Sequence, residues 1–457
     1  MPRPFPMHAP AAALALCLSL PLAAAAQAAP GTQPPAAPAR DTVPAVPAVP
    51  AAAAAAAAPA RPAAAAASVT AGAEGFGVRS ADGAFALRLR GGVQYDGRFF
   101  AEDTADAAIN TFALRRVRAD LQGTLYSLYD FRLYMDFANS QVELLDAYLD
   151  ARFSPAVRVR AGKFKVPMGL ERLQTPWNVL FPERGFPTAL VPNRDVGVQL
   201  HGVLGGGVLE YAAGVFNGTL DGGNQDVDAA DGKDLVGRVF VQPFVKSTGP
   251  LRGLGIGVAA STGTQEGSSA APLLPSFRTS GREIFARYRT DGTAPNTALA
   301  DGRRTRLAPQ GYWYLGPVGV LGEYTVSRQR VRRAEEAAEL ENTAWQVEAA
   351  FALTGEAESY RGIVPARAAD PARGEWGAVE LVARAHALGI DEDAFPLYAD
   401  PARSMRGATA YGAGVNWYLN RAVRVLLAYE RTTFDPFGDA AERPAESSVI
   451  SRVQVVF

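Results

Sequence analysis

The sequence predicts an all-β chain, a transmembrane antiparallel β-barrel of about 16 strands with a long third loop folded into the lumen. Three observations predict it. From about residue 84 the hydropathy alternates with period two to the end of the chain, with no helical segment between the runs, and that period is the signal for strands with two unlike faces. Aromatic residues collect near the ends of these runs, as in Phe99-Phe100, Tyr312-Trp313-Tyr314, Trp417-Tyr418 and Phe434, where they suit interfacial girdles. Strand-forming sequence then extends over about 370 residues, more than a single water-soluble core usually supports, whereas a membrane barrel has no such limit.

The amino-terminal residues read as an export signal. Arg3 and His8 precede the apolar stretch Ala9 to Ala26, which ends in Ala26-Gln27-Ala28, an A-x-A cleavage pattern, so residues 1–28 are assigned as a secretory signal peptide. Cys17, the single cysteine, lies inside that stretch and leaves the mature chain without disulfide or thiol chemistry. Residues 29–68 are almost entirely Ala and Pro. Proline at short intervals removes backbone donors and favours extended conformations, so this segment is expected to be a disordered periplasmic linker. Residues 69–457 form the expected barrel domain.

Within the barrel, Phe85, Leu87 and Leu89 alternate with Arg88 and Arg90, and Val117, Ala119 and Leu121 with Arg116, Arg118, Asp120 and Gln122. Phe131, Leu133, Met135 and Phe137 alternate with Arg132, Tyr134 and Asp136; Leu145, Ala147 and Leu149 with Asp146, Tyr148 and Asp150; Val157, Val159 and Ala161 with Arg158 and Arg160. Further runs are Tyr312 to Leu315, Val320 to Val326, Trp345 to Thr354, Ala378 to Ala385, Tyr411 to Leu419, Val423 to Tyr429 and Val449 to Phe457. Short connections such as Ser154-Pro155, Gly205-Gly206-Gly207, Gly316-Pro317-Val318-Gly319 and Asn420-Arg421 alternate with long polar ones, Asn217 to Asp234, Gln265 to Ser280 and Thr432 to Ser447. Short turns on one side and long loops on the other are the arrangement of membrane barrels. Placing both termini on the short-turn side requires an even strand number, which assigns Glu283 to Arg289 to a long outer loop and leaves 16 strands.

Segment Lys165 to Asp195 joins two strands by about 30 residues and carries five prolines. A connection that long is usually functional or disordered, and inside a barrel an ordered one has the lumen available to it. Its Lys165, Arg172, Arg184 and Arg194 face Glu171, Glu183 and Asp195, one positive charge in excess. A loop that narrows a pore brings such charges to short range in reduced dielectric. On the wall, Arg88, Arg90, Arg98, Arg116, Arg118, Arg132, Arg158 and Arg160 form an inward stripe, and guanidinium forks suit oxyanions. Asp96, Asp120, Asp136, Asp146 and Asp150 share that wall, so part of the stripe is expected to be a self-neutralising lattice. A surface loop with ordinary salt bridges is the plainer alternative for 165–195.

Charge and motifs narrow the function. The 45 Lys and Arg nearly cancel 46 Asp and Glu, for a net charge of -1, which speaks against a nucleic-acid partner. Only four of the cations are lysine: Lys163, Lys165, Lys233 and Lys246. With His201 and His386 the only histidines after residue 28, there is no metal-ligand motif, no G-x-S-x-G elbow, and no cofactor signature. Gly253, Gly255 and Gly257 follow strand alternation and no helix comes after them, so they are not a nucleotide loop. An enzyme is therefore not expected.

Ordered stretches make the reading specific. Thr111-Phe-Ala-Leu-Arg-Arg-Val-Arg118, Gly123-Thr-Leu-Tyr126, Asp130-Phe-Arg-Leu-Tyr-Met-Asp-Phe-Ala138, Leu145-Asp-Ala-Tyr-Leu-Asp150 and Gly162-Lys-Phe-Lys-Val-Pro-Met-Gly-Leu-Glu171 resemble the phosphate-selective porin O and P family. So do Gly214-Val-Phe-Asn217, Gly316-Pro-Val-Gly-Val-Leu-Gly-Glu-Tyr324, Leu353-Thr-Gly-Glu356 and Val415-Asn-Trp-Tyr-Leu-Asn420. The terminal Phe457 is similar to the recognition signature of bacterial outer-membrane barrels. The resemblance implies a trimeric outer-membrane channel for anions, phosphate or polyphosphate in the founding members, with arginines along the lumen and a constriction built by the third loop. The implied partners are small inorganic anions such as phosphate, outer-membrane lipid and copies of the same chain in a homotrimer.

The candidate pore-lining residues are Arg88, Arg90, Arg115, Arg116, Arg118, Asp146, Arg158, Arg160, Lys163, Lys165, Arg172 and Arg184. One departure bears on substrate: the founding members carry lysines at the outer funnel, and the long loops here have almost none. Two further functions fit the sequence, a structural barrel tethered to the cell wall through the Ala/Pro segment and a general porin without phosphate preference.

Overall fold

The computed structural model describes residues 66–101, 109–228 and 231–457. The expected signal peptide and all but the last three residues of the Ala/Pro linker lie outside the described residues. The strands are β1 Ser68–Gly72, β2 Gly75–Arg79, β3 Ala86–Phe100, β4 Thr111–Leu125, β5 Tyr129–Asp136, β6 Glu143–Arg152, β7 Arg158–Lys165, β8 Arg194–Leu204, β9 Leu209–Phe216 and β10 Asp234–Val241. They continue as β11 Leu254–Glu266, β12 Ser276–Arg278, β13 Ile284–Arg287, β14 Leu299–Leu315, β15 Val318–Arg333, β16 Glu336–Ala352, β17 Ala378–Gly389, β18 Gly407–Tyr418, β19 Val423–Asp435 and β20 Glu446–Val456.

Sixteen of these, β3–β11 and β14–β20, pair antiparallel with their neighbours and close through β20 on β3, from Val456 opposite Gly92 to Ser448 opposite Phe100. Closure leaves no free strand edge in the wall. Phe457 completes the seam by exchanging two backbone hydrogen bonds with Gly91, at 2.8 and 3.0 Å. The hairpin β1–β2 extends the sheet along the first residues of β3.

The two faces of the wall differ as the alternation predicts, with apolar side chains outside and polar ones inside. On β16, Trp345, Val347 and Phe351 are exposed while Gln346 and Glu348 between them are buried. Exposed apolar and buried polar residues are the inverse of a water-soluble sheet and fit a wall surrounded by hydrocarbon.

Two features depart from the expected layout, and one doubtful segment falls where it was assigned. Residues 299–311, not read as strand, form the first part of β14; Arg304 and Arg306 face inward there, bonded to Asp234 and Asp221, and Pro309 breaks the apolar rhythm. Segment 283–289 contributes β13, which pairs only with β12 in a hairpin within the long 267–298 connection, in agreement with its assignment to an outer loop. The turn side is not uniformly short: 353–377 joins β16 to β17 there, whereas 334–335 is a two-residue connection on the loop side. The end carrying 166–193, 217–233 and 267–298 is called the loop end below, and the opposite one the turn end.

A closed 16-strand ladder gives a direct expectation. The folded protein should run as a compact band in SDS at room temperature and convert on heating to a slower one, with β-rich circular dichroism beforehand. A predominantly helical spectrum would contradict the fold.

Candidate functional site

The inner face of β4–β8 is built from arginine and aspartate. Arg132 forks onto Asp120 at 2.7 and 2.8 Å and reaches Asp146 at 3.0 Å; Arg194 also bonds Asp146, at 2.7 Å. Arg118 pairs with Asp136 at 2.7 Å. Towards the turn end Asp150 receives Arg158 at 3.1 Å, Arg160 at 2.6 Å and His201 at 3.1 Å, and Asp130 receives Arg158 at 2.9 Å. The buried Tyr134 ring lies 4.4 Å from the Arg132 guanidinium and 5.3 Å from that of Arg118, so the stack is held by cation–π contact as well as charge. This is the self-neutralising lattice expected from the alternation, and it holds each guanidinium in one orientation.

Segment 166–193 is the second component. It is hydrogen-bonded to side chains of β3, β4 and β15–β20, and of the flanking β7 and β8. Glu323 of β15 accepts from the Leu170 amide at 2.6 Å, and the Gln346 amide of β16 donates to Glu171 at 3.1 Å. His386 Nδ1 of β17 accepts from the Phe186 amide at 3.1 Å, and Arg384 donates to the Glu183 carbonyl at 2.8 Å. Asn416 of β18 donates to the Leu180 carbonyl, Arg424 of β19 to Val179, Arg452 of β20 to Pro182 and Gln94 of β3 to Pro176, all at 2.6–3.1 Å. From β4, Arg115 forks onto Glu183, at 2.5 and 2.9 Å. Burial works against the charge of Glu183, and the guanidiniums of Arg115, Arg116 and Arg452 overcome it, holding its carboxyl well below the usual carboxylate range.

The approach of this segment to the wall depends on Gly92. A Cβ there would lie 2.9 Å from the Trp177 ring and 2.8 Å from the Val455 carbonyl, so the indole seats directly on backbone. A β-bulge opposite Gln94 and Tyr95 leaves Arg115 without a partner residue on β3, and in consequence Arg115 and Arg116, adjacent in sequence, both turn to the inner side.

Several cations form no ion pair with a carboxylate among the described residues, and on and beside the segment they bond neutral oxygens instead. Arg116 donates to the Gln94 side-chain oxygen at 2.6 Å. Arg172 donates to the Thr188 carbonyl, and Arg184 to the Glu171 and Gln174 carbonyls at 3.1 and 2.8 Å. Lys165 donates to the carbonyls of Arg172, Leu173 and Gln174, at 2.7, 3.3 and 2.6 Å, closing the end of the one-turn helix Leu170–Leu173. A neutral acceptor satisfies the donor geometry without forming an ion pair.

On the other side of the segment the wall is acidic and covered. Glu348 and Glu430 have side chains only 1% and 4% exposed, against 26% for Arg132 and 28% for Arg158. Arg384 bridges Glu348 and Glu430 at 3.3 and 2.7 Å, and His386 adds a contact to Glu430 at 3.2 Å. On the segment's side of the barrel Glu323, Glu348 and Glu430 are thus buried, whereas Arg132, Arg158 and Arg160 of β5 and β7 stay partly exposed.

What remains open is a string of cavities on the arginine side. The loop-end cavity, about 610 Å³, is lined by nine cationic side chains and four carboxylates. It shares Lys165, Pro176 and Arg194 with a cavity of about 340 Å³, which shares Arg132, Tyr134 and Thr175 with one of about 490 Å³ and Tyr148 and Arg160 with one of about 420 Å³.

Most candidate residues line one or another of these cavities. Arg115, Arg116, Arg118, Lys165, Arg172 and Arg184 line its loop-end cavity, and Asp146, Arg160 and Lys165 the next. Arg88 and Arg158 line the turn-end cavity of about 420 Å³; Arg90 lines the neighbouring one and pairs with Glu74 of the β1–β2 turn at 3.3 Å. Lys163 is not among the residues lining these four cavities. It opposes Ala147 and is buried, donating to the Leu144 carbonyl at 2.7 Å and to Asp226 of the 217–233 connection, so that connection covers its ammonium. The candidate set omitted Arg132 and Arg194, although both stood in the alternation and the loop charges; Arg238, on β10 and lining the 340 Å³ cavity, had no comparable signal.

Comparison with known proteins follows the same lines. A family model described as phosphate-selective porin O and P matches residues 87–457. Porin O of Pseudomonas aeruginosa is 26% identical over 418 residues, which cover 84% of this chain and 91% of that protein. Among solved structures, the anion-selective porin from Comamonas acidovorans superposes with a TM-score of 0.51 at 11% identity, covering 82% of this chain and 100% of that one. The trimer form of OmpT from Vibrio cholerae gives 0.51 at 12% identity, with coverage of 82% and 100%. At such identities the structural matches speak for the fold.

The Lys165 contacts predict a structural role. Lys165→Met removes the donor from three carbonyls that sit away from bulk water, at about 1–3 kcal/mol for each one left unsatisfied. The heat-conversion temperature in SDS should fall, and protease cutting within 172–176 should rise. An unchanged conversion temperature and cutting pattern would show that water replaces the ammonium.

Proposed function

The chain belongs to the phosphate-selective porin O and P family, and from that premise we propose that it is an outer-membrane channel for passive diffusion of small anions along an arginine-lined path. Export through the amino-terminal signal places it in the outer membrane of a bacterium, with the loop end outside, the apolar outer face against lipid and three copies in the working assembly. In this reading segment 166–193 is the third loop, folded into the lumen, and it narrows the channel where Lys165, Pro176 and Arg194 separate two cavities.

The observation that carries the proposal is the asymmetry the loop creates. It covers the glutamate wall and presents Arg116, Lys165, Arg172 and Arg184 without carboxylate partners. In a narrow, poorly screened site such charges lower the barrier for an anion and raise it for a cation. Arg118, Arg132, Arg158 and Arg160 contribute less, because aspartates already occupy their forks. Phosphate therefore passes as one anion among several and is held weakly. Polyphosphate would meet the same cations in succession. Nothing in this path requires a cofactor.

Arg116 and Arg184 test the proposal because neither holds a carboxylate. Arg116→Glu and Arg184→Glu should each lower the anion-to-cation permeability ratio severalfold in planar bilayers, a barrier change on the order of 1 kcal/mol. Unchanged reversal potentials in both variants would mean that these charges are not on the ion path.

A further inference from the structure

A second arginine cluster lies in the loop-end connections, apart from the string of cavities above. A cavity of about 390 Å³ there is lined by Arg287, Arg289, Arg333 and Arg403, with Asp291 and Asp400 the carboxylates among its lining residues. These arginines come from three separate stretches of chain: Arg287 and Arg289 from the end of β13 and the residues after it, Arg333 from the end of β15, and Arg403 from the 390–406 connection.

The two carboxylates are largely committed elsewhere. Asp291 accepts from the Thr293 amide at 2.8 Å, the Thr293 hydroxyl at 2.7 Å and the Asn296 side-chain amide at 3.0 Å, all within its own turn. Asp400 pairs with Arg289 at 3.1 Å and accepts from the Ala402 amide. Arg333 donates to the Leu397 carbonyl at 3.0 Å and to Asn296 at 3.4 Å, and its Nε is buried without a partner. The guanidiniums of Arg287 and Arg403 have neither ion pair nor hydrogen bond among the described residues.

The walls are fixed. The Ser404 hydroxyl donates to the Arg287 carbonyl at 2.8 Å and accepts from the Arg287 amide at 3.1 Å, the Arg289 amide donates to the Tyr398 carbonyl at 2.8 Å, and buried Tyr288 accepts from Asn342 at 2.9 Å. Beneath them Phe285, Tyr288, Phe395, Tyr398 and Met405 belong to one apolar cluster that also includes Phe186 of the 166–193 segment. Three guanidiniums without carboxylates of their own line this one cavity, those of Arg287 and Arg403 on exposed side chains free to turn into it, and a doubly charged oxyanion offsets their mutual repulsion while accepting several charge-assisted hydrogen bonds.

We propose that this cavity is a binding site for a phosphate group, separate from the conduction path. Two sources offer that group at the loop end of an outer-membrane barrel: free inorganic phosphate and the phosphorylated headgroup of an outer-leaflet glycolipid. The site's existence does not depend on the selectivity of the pore.

Arginine-directed labelling resolved by residue tests it. The full-length protein in detergent is treated with phenylglyoxal, and modification of Arg287, Arg333 and Arg403 is followed by mass spectrometry, with Arg373, whose side chain is 82% exposed, as the reference. Sodium chloride at matched ionic strength is the control. Inorganic phosphate should slow modification of Arg287 and Arg403 by about tenfold at saturation if it is the source. If the glycolipid is the source, a diphosphorylated lipid A should do so at stoichiometric amounts where inorganic phosphate does not. With Arg287→Gln and Arg403→Gln combined, protection of Arg333 should disappear while reversal potentials stay as in the parent protein. Labelling rates that neither phosphate source changes would overturn the proposal, as would equal protection of Arg373.

Discussion

The structure depends on how a chain segment of about 28 residues satisfies its backbone among the side chains of the barrel's inner face. Each amide and carbonyl there needs a partner, because unpaired polar groups away from bulk water cost as much as a lost hydrogen bond. The wall supplies those partners. Guanidiniums of Arg384, Arg424 and Arg452 and side-chain amides of Gln94 and Asn416 donate to carbonyls of 176–183, while Glu323 and His386 accept from amides at 170 and 186. Charge on β15–β20 is therefore spent on holding the segment. Charge on β4, at the end of β7 and on the segment itself is what remains for an ion to meet.

This division explains why so many arginines coexist with a net charge near zero. One set is locked to aspartates and fixes the wall, a second set is locked to backbone, and a third, Arg116, Lys165, Arg172 and Arg184, is satisfied by neutral oxygens and keeps its field. Counting arginines along the lumen would overstate the anion preference. Counting ion pairs would understate it, since a donor bonded to a carbonyl is geometrically satisfied without a carboxylate in direct contact.

Much of the wall was legible in the sequence because the side-chain period of a strand is two and the two faces meet unlike surroundings. The Arg/Asp lattice could be read from the same alternation, and the length and proline content of 166–193 marked it as the segment to watch. Where reading failed, the cause was local. A bulge at Arg115 breaks the period, so that neighbouring arginines share a face; no pattern announces it. Lys163 sits two residues from Lys165, yet the 217–233 connection folds over its ammonium, which only tertiary structure decides. Pro309 and the charged run Arg303 to Arg306 hid half of β14. That the glutamates of β15–β19 are covered follows from the path of 166–193 and could not be inferred from their positions in the chain. Segment 353–377 was unexpected for the same reason: from the turn end its Tyr360 donates to the Leu170 carbonyl at 2.5 Å and accepts from Gln174 at 2.9 Å, supporting the 166–193 segment from the side opposite the loops.

The central claim is that the partnerless cations on and beside 166–193 make this a moderately selective anion channel. It is tested most directly by single-channel recording of the purified wild-type protein under a chloride gradient, with phosphate then added. The account predicts a reversal potential displaced towards that of chloride, with phosphate reducing the chloride current only in the millimolar range or above, where binding is worth about 4 kcal/mol. A reversal potential displaced towards the cation would contradict it, and block by micromolar phosphate would contradict the weak holding that aspartate-occupied guanidiniums imply.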